Sequence, residues 1–223
     1  MLKYFFAITG IILLCLNGCS AIPFKKAIPV SVENVDPEIV KEQFALKMAD
    51  KFQIINTIVF EYKGQTLSFI GYSDVDTKEK IFTVAGINPV GVKLFELMGE
   101  KDKTVLKFAI EDFTKKGNFT EAVGGDIRKI FFDRLPETGA KVYKKKNEIV
   151  FTQNEGDSII EYVFAGQDNL LVEKRCLVDN KTVWSVNYYE YTNKNGKLHP
   201  LGIILNNFKY GYRLILRLKE VRS

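Results

Sequence analysis

The chain has 223 residues, 46% of them hydrophobic and 13% aromatic, with 26% charged, which is enough apolar material for one sizeable core and excludes a disordered or low-complexity protein. Its net charge of +5 is mild, and loss of Lys3 with a leader would leave +4, so a solvated surface or attraction to anionic headgroups is expected and a nucleic-acid partner is not. Three cysteines and a single histidine leave little for disulfide, metal or Cys-His chemistry.

The N-terminus carries Lys3, then an apolar stretch from Phe5 to Leu16, then Asn17-Gly18-Cys19. A helix needs about 20 apolar residues to cross a bilayer, so this stretch is expected to be a removable signal over residues 1–18. Small Gly18 before Cys19 is the arrangement of a lipoprotein cleavage and acylation site. Cys19 is therefore the expected lipid anchor, its thiol taking a diacylglyceryl group and its freed amine a third, palmitate-type chain; three chains hold a protein to a membrane almost permanently. Resemblance to the sorting habit of enteric lipoproteins, where Asp in the next position favours the inner membrane, implies that Ser20 favours the outer membrane, with the protein facing the periplasm. Cys15 leaves with the signal, so only Cys176 remains as a thiol, expected to be a small buried hydrophobe.

Residues 19–35 follow as the lipidated cysteine and a polar linker with Pro23, Lys25, Lys26 and Pro29, and residues 36–223 as a single domain. Asp36-Pro37-Glu38 announces a helix: a capping carboxylate, a proline in the first turn and an early acid. Val40, Phe44, Met48 and Phe52 recur every four residues as one stripe. From residue 53 the texture changes to short Ile-, Val-, Phe- and Tyr-rich runs broken by Gly, Asn and Asp. Strands are predicted over 53–62, 66–72, 80–87, 92–98 and 104–110, with turns at 63–64, 73–77, 88–89 and 99–102. A second helix is predicted over 121–135, stopped by Pro136. Strands resume over 140–145, 148–153, 158–165, 170–178, 182–192, 201–208 and 212–220.

Several strands alternate one-sidedly. Tyr212, Leu214, Leu216 and Leu218 share a face opposite Arg213, Arg217 and Lys219, with Ile215 the one apolar residue among the cations. Ile160, Tyr162 and Phe164 repeat the pattern, as do Leu106, Phe108 and Ile110. About a dozen strands exceed what an open sheet carries without curling, so an α+β, mainly β architecture is expected: an unclosed antiparallel barrel with a helical lid. Between such a sheet and its lid lies room for an acyl chain. The residues expected to line that space are Phe60, Phe69, Phe108, Tyr162, Phe164, Trp184, Tyr212, Leu214 and Leu216 from the sheet, with Phe44, Met48 and Phe131 from the helices. Packed core is the competing reading for each, since protein interiors are normally filled.

No catalytic signature emerges. His199 precedes Pro200 at a strand start and reads as a turn or surface residue, and no Gly-x-Ser-x-Gly elbow accompanies it. Asp74 and Asp76 lack the rest of a calcium loop. Glu111 and Asp112, adjacent in a strand, would point to opposite faces. Lys141 to Lys146 reads as the solvated edge of a sheet. The expectation is a non-enzymatic protein without cofactor or metal.

The order of these parts (acylation site, short helix, strands, one middle helix ending at Leu135-Pro136, more strands, and a final pair formed by His199 to Leu205 and Tyr212 to Leu218) resembles the LolA/LolB class of periplasmic lipoprotein carriers and receptors. The run Ala85-Gly86-Ile87-Asn88-Pro89-Val90-Gly91-Val92-Lys93-Leu94-Phe95-Glu96-Leu97 resembles an uncharacterised family of LolB-like bacterial lipoproteins often encoded beside fatty-acid-like or aryl polyene synthesis genes. The resemblance implies a half-barrel that receives an acyl chain, lipid or lipoprotein cargo, tethered to the membrane through its N-terminal lipid. LolB inserts lipoproteins with an exposed apolar loop between early strands; the corresponding turns here, 63–65 and 73–77, have no bulky exposed aliphatic, which counts against insertion and leaves lipid-like cargo. The competing function is an interaction scaffold for an envelope protein partner, and a third is an accessory that presents substrate to a lipid-synthesising enzyme.

Overall fold

The computed structural model describes residues 22–115 and 117–222. The leader and Cys19 lie outside the described residues. One antiparallel sheet of twelve strands dominates, in the spatial order β5-β4-β3-β2-β1-β12-β11-β10-β9-β8-β7-β6. The strands are β1 (Lys51–Tyr62), β2 (Gln65–Asp76), β3 (Ile81–Ile87), β4 (Lys93–Glu100), β5 (Lys103–Ala109), β6 (Lys141–Lys145), β7 (Glu148–Glu155), β8 (Ser158–Ala165), β9 (Leu170–Val178), β10 (Lys181–Lys194), β11 (Lys197–Asn207) and β12 (Tyr212–Arg222). Among the described residues three helices accompany them: α1 (Pro37–Lys47), α2 (Glu111–Thr114) and α3 (Phe119–Phe131). Hairpin follows hairpin in each half, and the halves join where the first strand meets the last, Ile58 opposite Leu216 and Tyr62 opposite Tyr212. β5 and β6 form the two edges, so the half-barrel is unclosed. The all-exposed Lys-rich β6 suits its edge position.

Local chemistry explains most boundaries. The Asp36 carboxylate accepts from the Glu38 amide at 2.9 Å, capping α1. That helix ends at Lys47, so Phe52, expected on the helical stripe, instead opens the inward row of β1 with Ile54, Asn56 and Ile58. The β1–β2 turn holds Lys63 and Gly64 at φ 48° and 77°, the double positive φ of a tight hairpin. β2 runs through the predicted 73–77 turn to Asp76 because Ser73 and Val75 continue its buried alternation. His199 and Pro200 lie inside β11, and His199 is buried rather than on a turn. Glu111 and Asp112 form the first turn of α2, a helix the alternation of β5 conceals.

α3 ends at Phe131, four residues before the predicted stop. Phe132 caps it in extended conformation, and Asp133 takes a left-handed φ of 47°. The helix lies across the concave face between β5 and β11. Arg128 clamps one side, donating to the Lys101 carbonyl, to Thr104 Oγ1 at 3.0 Å and to the Lys103 carbonyl at 2.6 Å. Tyr188 holds the other side, its hydroxyl donating to the Ile130 carbonyl at 2.9 Å. Gly124 permits the close approach, since a Cβ there would overlap the Thr104 side chain.

The segment 22–32, a linker by composition, docks Phe24 on the convex face and ends with Val32 buried in the main core. Phe24 stacks on Tyr189 with centroids 5.4 Å apart, fills the notch left by Gly202, and receives the Arg217 guanidinium over its ring at 4.7 Å. Arg217 also donates to the Pro23 carbonyl at 2.8 Å, and the Val32 amide reaches the Lys146 carbonyl at 3.2 Å. Ile215, the odd apolar residue on the cationic face of β12, belongs to this satellite cluster with Ile204. Phe24→Ala is expected to accelerate tryptic cleavage at Lys25 and Lys26 about tenfold, the factor that corresponds to about 1.4 kcal/mol of lost docking. An unchanged cleavage rate in a timed digest would show that the backbone contacts alone hold the strap. The described strands, helices and core clusters all lie within residues 22–222, and a chain beginning at Ser20 retains every one of them.

Candidate functional site

The concave face divides into three connected zones. The first lies under α1, where Phe44 meets Phe164 edge-on at 5.5 Å and Tyr191 at 6.2 Å. Beside them Phe52 packs edge-on against Phe131 at 5.8 Å and against the His199 ring at 5.5 Å. The Arg134 guanidinium sits 5.9 Å over the Phe52 ring. Arg134 is buried at 3% exposure, and among the described residues no carboxylate lies within ion-pair distance of it. Burial and then the neighbouring Arg134 charge push His199 down to about 4, so the imidazole is neutral at physiological pH.

The second zone centres on Lys174, which projects inward from β9. Its ammonium donates to the Phe132 carbonyl at 2.9 Å and lies 5.9 Å from the Tyr162 ring and 5.8 Å from Trp184. Desolvation brings this lysine down to about 8, against the support of Asp133 and Glu155.

The third zone is the end formed by the β1–β2 and β11–β12 turns. Phe60 stacks toward Tyr62 at 6.3 Å and Tyr212 at 5.6 Å. Tyr212 donates to the buried Asp126 carboxylate at 2.6 Å, which also accepts from Lys129 at 2.9 Å. Burial raises the Asp126 carboxyl despite Lys129 and Tyr212, which hold it in the opposite sense. A groove of about 520 Å³ opens between the two turns, lined by Tyr62, Lys63, Thr66, Phe208, Tyr212 and Arg213 among others.

The structure brings most of the residues expected from sequence onto this one face. Phe44, Phe69, Phe131, Tyr162, Phe164 and Leu216 are buried in the main core, and Met48, Phe60, Trp184, Tyr212 and Leu214 are half-buried against it. Phe69 meets Phe95 edge-on at 5.6 Å. Phe108 is the exception. The β4–β5 register shifts between Glu96 and Leu97, so Leu106 stands opposite inward Leu97, whereas Phe108 stands opposite Glu96 and is 44% exposed on the convex side. One extra residue in a strand reverses the facing of all that follow. Cys176 is a buried free thiol within the core.

Sequence reasoning missed Arg134, Lys174, His199 and Asn56 as interior residues. Lys174 had a legible signal, since it alternates with Cys176. Arg134 had none, because it lies in the irregular segment after α3, which the predicted helix over 121–135 covered. Among the described residues no cluster of His, Cys, Asp and Glu could hold a metal ion, and no helix is long and apolar enough to cross a membrane.

No family model and no curated protein matches the sequence. The fold is similar to that of a LolA superfamily protein from Nitrosomonas europaea, with a TM-score of 0.54 at 12% identity, covering 86% of this chain and 93% of that one. It is also similar to a domain assigned to outer membrane lipoprotein sorting in Vibrio parahaemolyticus, at TM-score 0.49 and 12% identity over 83% of this chain and 90% of that one. A DUF1329 family protein from Desulfovibrio piger follows at TM-score 0.47 and 8% identity, with 83% and 90% covered. The first of these carries the fold assignment: the chain has a LolA-like fold, an open antiparallel half-barrel with a helical lid.

Proposed function

We propose that this chain is a lipid-anchored envelope protein that holds an acyl chain or similar elongated apolar ligand against the concave face of its half-barrel, without chemistry of its own. The observation that carries the reading is the nature of the cover: the curved sheet is closed by helices rather than by a second sheet, and α3 is tied down at a few polar points. Those points are Arg128 on the β4–β5 side, Tyr188 on β10 and Tyr212 on β12. Ile127, Ile130 and Phe131 of α3 fill the apolar space, so a ligand enters by exchanging for them, apolar surface for apolar surface. The half-buried Phe60, Trp184, Tyr212 and Leu214 are the first surface such a chain would meet. Cys19 and Ser20 direct the protein to the periplasmic face of the outer membrane, and the LolB-like run from Ala85 to Leu97 points to lipid-like cargo, polyene or fatty-acid-like.

One observation favours the scaffold reading instead. Phe151, Phe164, Leu171 and Leu205 are fully buried, at 0% exposure, as in a core packed for stability alone. Native mass spectrometry of the chain from Ser20 separates the two. Under the carrier reading a co-purifying mass extracts into organic solvent, or one appears after incubation with phospholipid, fatty acid or acylated peptide. An apo mass unchanged by all three ligands would leave the scaffold.

A further inference from the structure

We propose that the ligand of the half-barrel is an amphiphile with an anionic head, carboxylate or phosphate, and that Arg134 receives the head while the aromatic floor holds the chain. The inference rests on the carrier reading and names its substrate class.

Arg134 follows Asp133, and the two side chains part. Asp133 turns outward to pair with Lys80 at 2.9 Å, whereas Arg134 turns inward over Phe52. Lys174, the second interior cation, is satisfied by a carbonyl rather than a carboxylate. Interior Asp126 is already engaged by Lys129 and Tyr212. The concave face therefore holds two buried cations and a carboxylate committed elsewhere. Asn56 Nδ2, Arg134 Nε and His199 Nε2 are buried without a hydrogen-bond partner, and all three are nitrogens. Desolvating a charge without pairing it is strongly unfavourable, so such an arrangement is retained where something else depends on it. A guanidinium presents a planar fork of donors that fits carboxylate and phosphate oxygens two at a time. Phe52 beneath it, with Phe131 packed edge-on against Phe52, supplies the apolar surroundings in which a charge-assisted hydrogen bond is strongest and along which a chain can lie.

The test measures dissociation constants of the chain from Ser20 for three 16-carbon probes, palmitate, hexadecyl phosphate and hexadecanol. Wild type is compared with Arg134→Gln and Arg134→Met, and thermal midpoints are recorded without ligand. Wild type is expected to bind one or both anions at least about tenfold more tightly than the alcohol, as one charge-assisted pair implies. Palmitate against hexadecyl phosphate then tells a free fatty acid from a phospholipid-like head. Both variants should lose the preference while holding hexadecanol as wild type does, and unliganded Arg134→Met should melt no lower than wild type, because it removes an unpaired buried charge. Equal binding of the three probes by wild type, or a preference that survives in the variants, overturns the head-group assignment and leaves the carrier reading standing. Binding of none of the probes overturns both. Loss of the fold in both variants would make Arg134 a structural residue and overturn the assignment.

Discussion

Phe164→Ala is expected to destabilise the domain by about 4 kcal/mol, a large part of the 5–15 kcal/mol that holds a typical domain folded. Phe164 is fully buried and is the ring on which two layers converge: Phe44 from α1 meets it edge-on at 5.5 Å and Phe151 from β7 at 5.6 Å. Truncation removes the apolar area, both edge-on ring contacts and the floor under α1, and the rigid sheet on either side cannot collapse into the space. Phe108→Ala is the matched control. The same chemical change on the convex face, at a residue 44% exposed, should shift stability by no more than about 0.5 kcal/mol. Urea unfolding followed by tyrosine and tryptophan fluorescence measures both. Similar midpoint shifts would show that the β5 edge is packed as tightly as the centre, contrary to the observed facing.

The second large effect is a rise of stability with pH that peaks near pH 10. Burial holds Lys174 at about 8 against an ordinary 10.5. Between those values the unfolded chain keeps a proton that the folded chain has released, so unfolding takes up a proton and stability increases with pH across this window. Below about pH 8 the folded chain carries the full cost of the buried ammonium, and a shift of this size corresponds to about 3 kcal/mol recovered by the upper end. Tyr162, Tyr188, Tyr191 and Tyr212 set the opposite limb. Burial raises all four above the ordinary 10.0, so above about pH 10 the unfolded chain loses phenolic protons that the folded chain retains, and stability falls. His199, held near 4, adds a decline at the acid end as pH drops through the ordinary histidine range, because the unfolded imidazole takes up a proton first. Chemical unfolding at intervals from pH 4 to 11 traces the curve. Lys174→Met should flatten the limb between pH 8 and 10 and leave the tyrosine limb intact; a wild-type curve already flat there would place Lys174 in contact with water.

The strands were legible because their chemistry is local. β8 and β9 lie where alternation of apolar and polar residues and the flanking turn residues predict them, and Tyr212, Leu214, Leu216 and Leu218 face inward as the period of two requires. The cap at Asp36 was legible for the same reason: one carboxylate and one amide two residues apart decide it. The α3 end was not, because Phe132 leaves the helix to bury its ring beside Phe82 at 6.2 Å, a contact with a strand about fifty residues away.

The candidate site divides along the same line. Its apolar floor could be read from one-faced strands. The reversal at Phe108 depends on pairing with β4, since a bulge exists only between two strands. The docking of Phe24 depends on a notch made by Gly202 and a ring offered by Tyr189, on different strands. Periodicity, turn residues and caps act over a few residues, so the set of elements and the apolar side of each follow from local chemistry. The joining of β1 to β12 into one open half-barrel, and the enclosure of Arg134, Lys174 and His199 within it, arise from packing between distant segments. A side chain's burial and its lack of a counter-charge are properties of everything folded around it, and no window of sequence contains them.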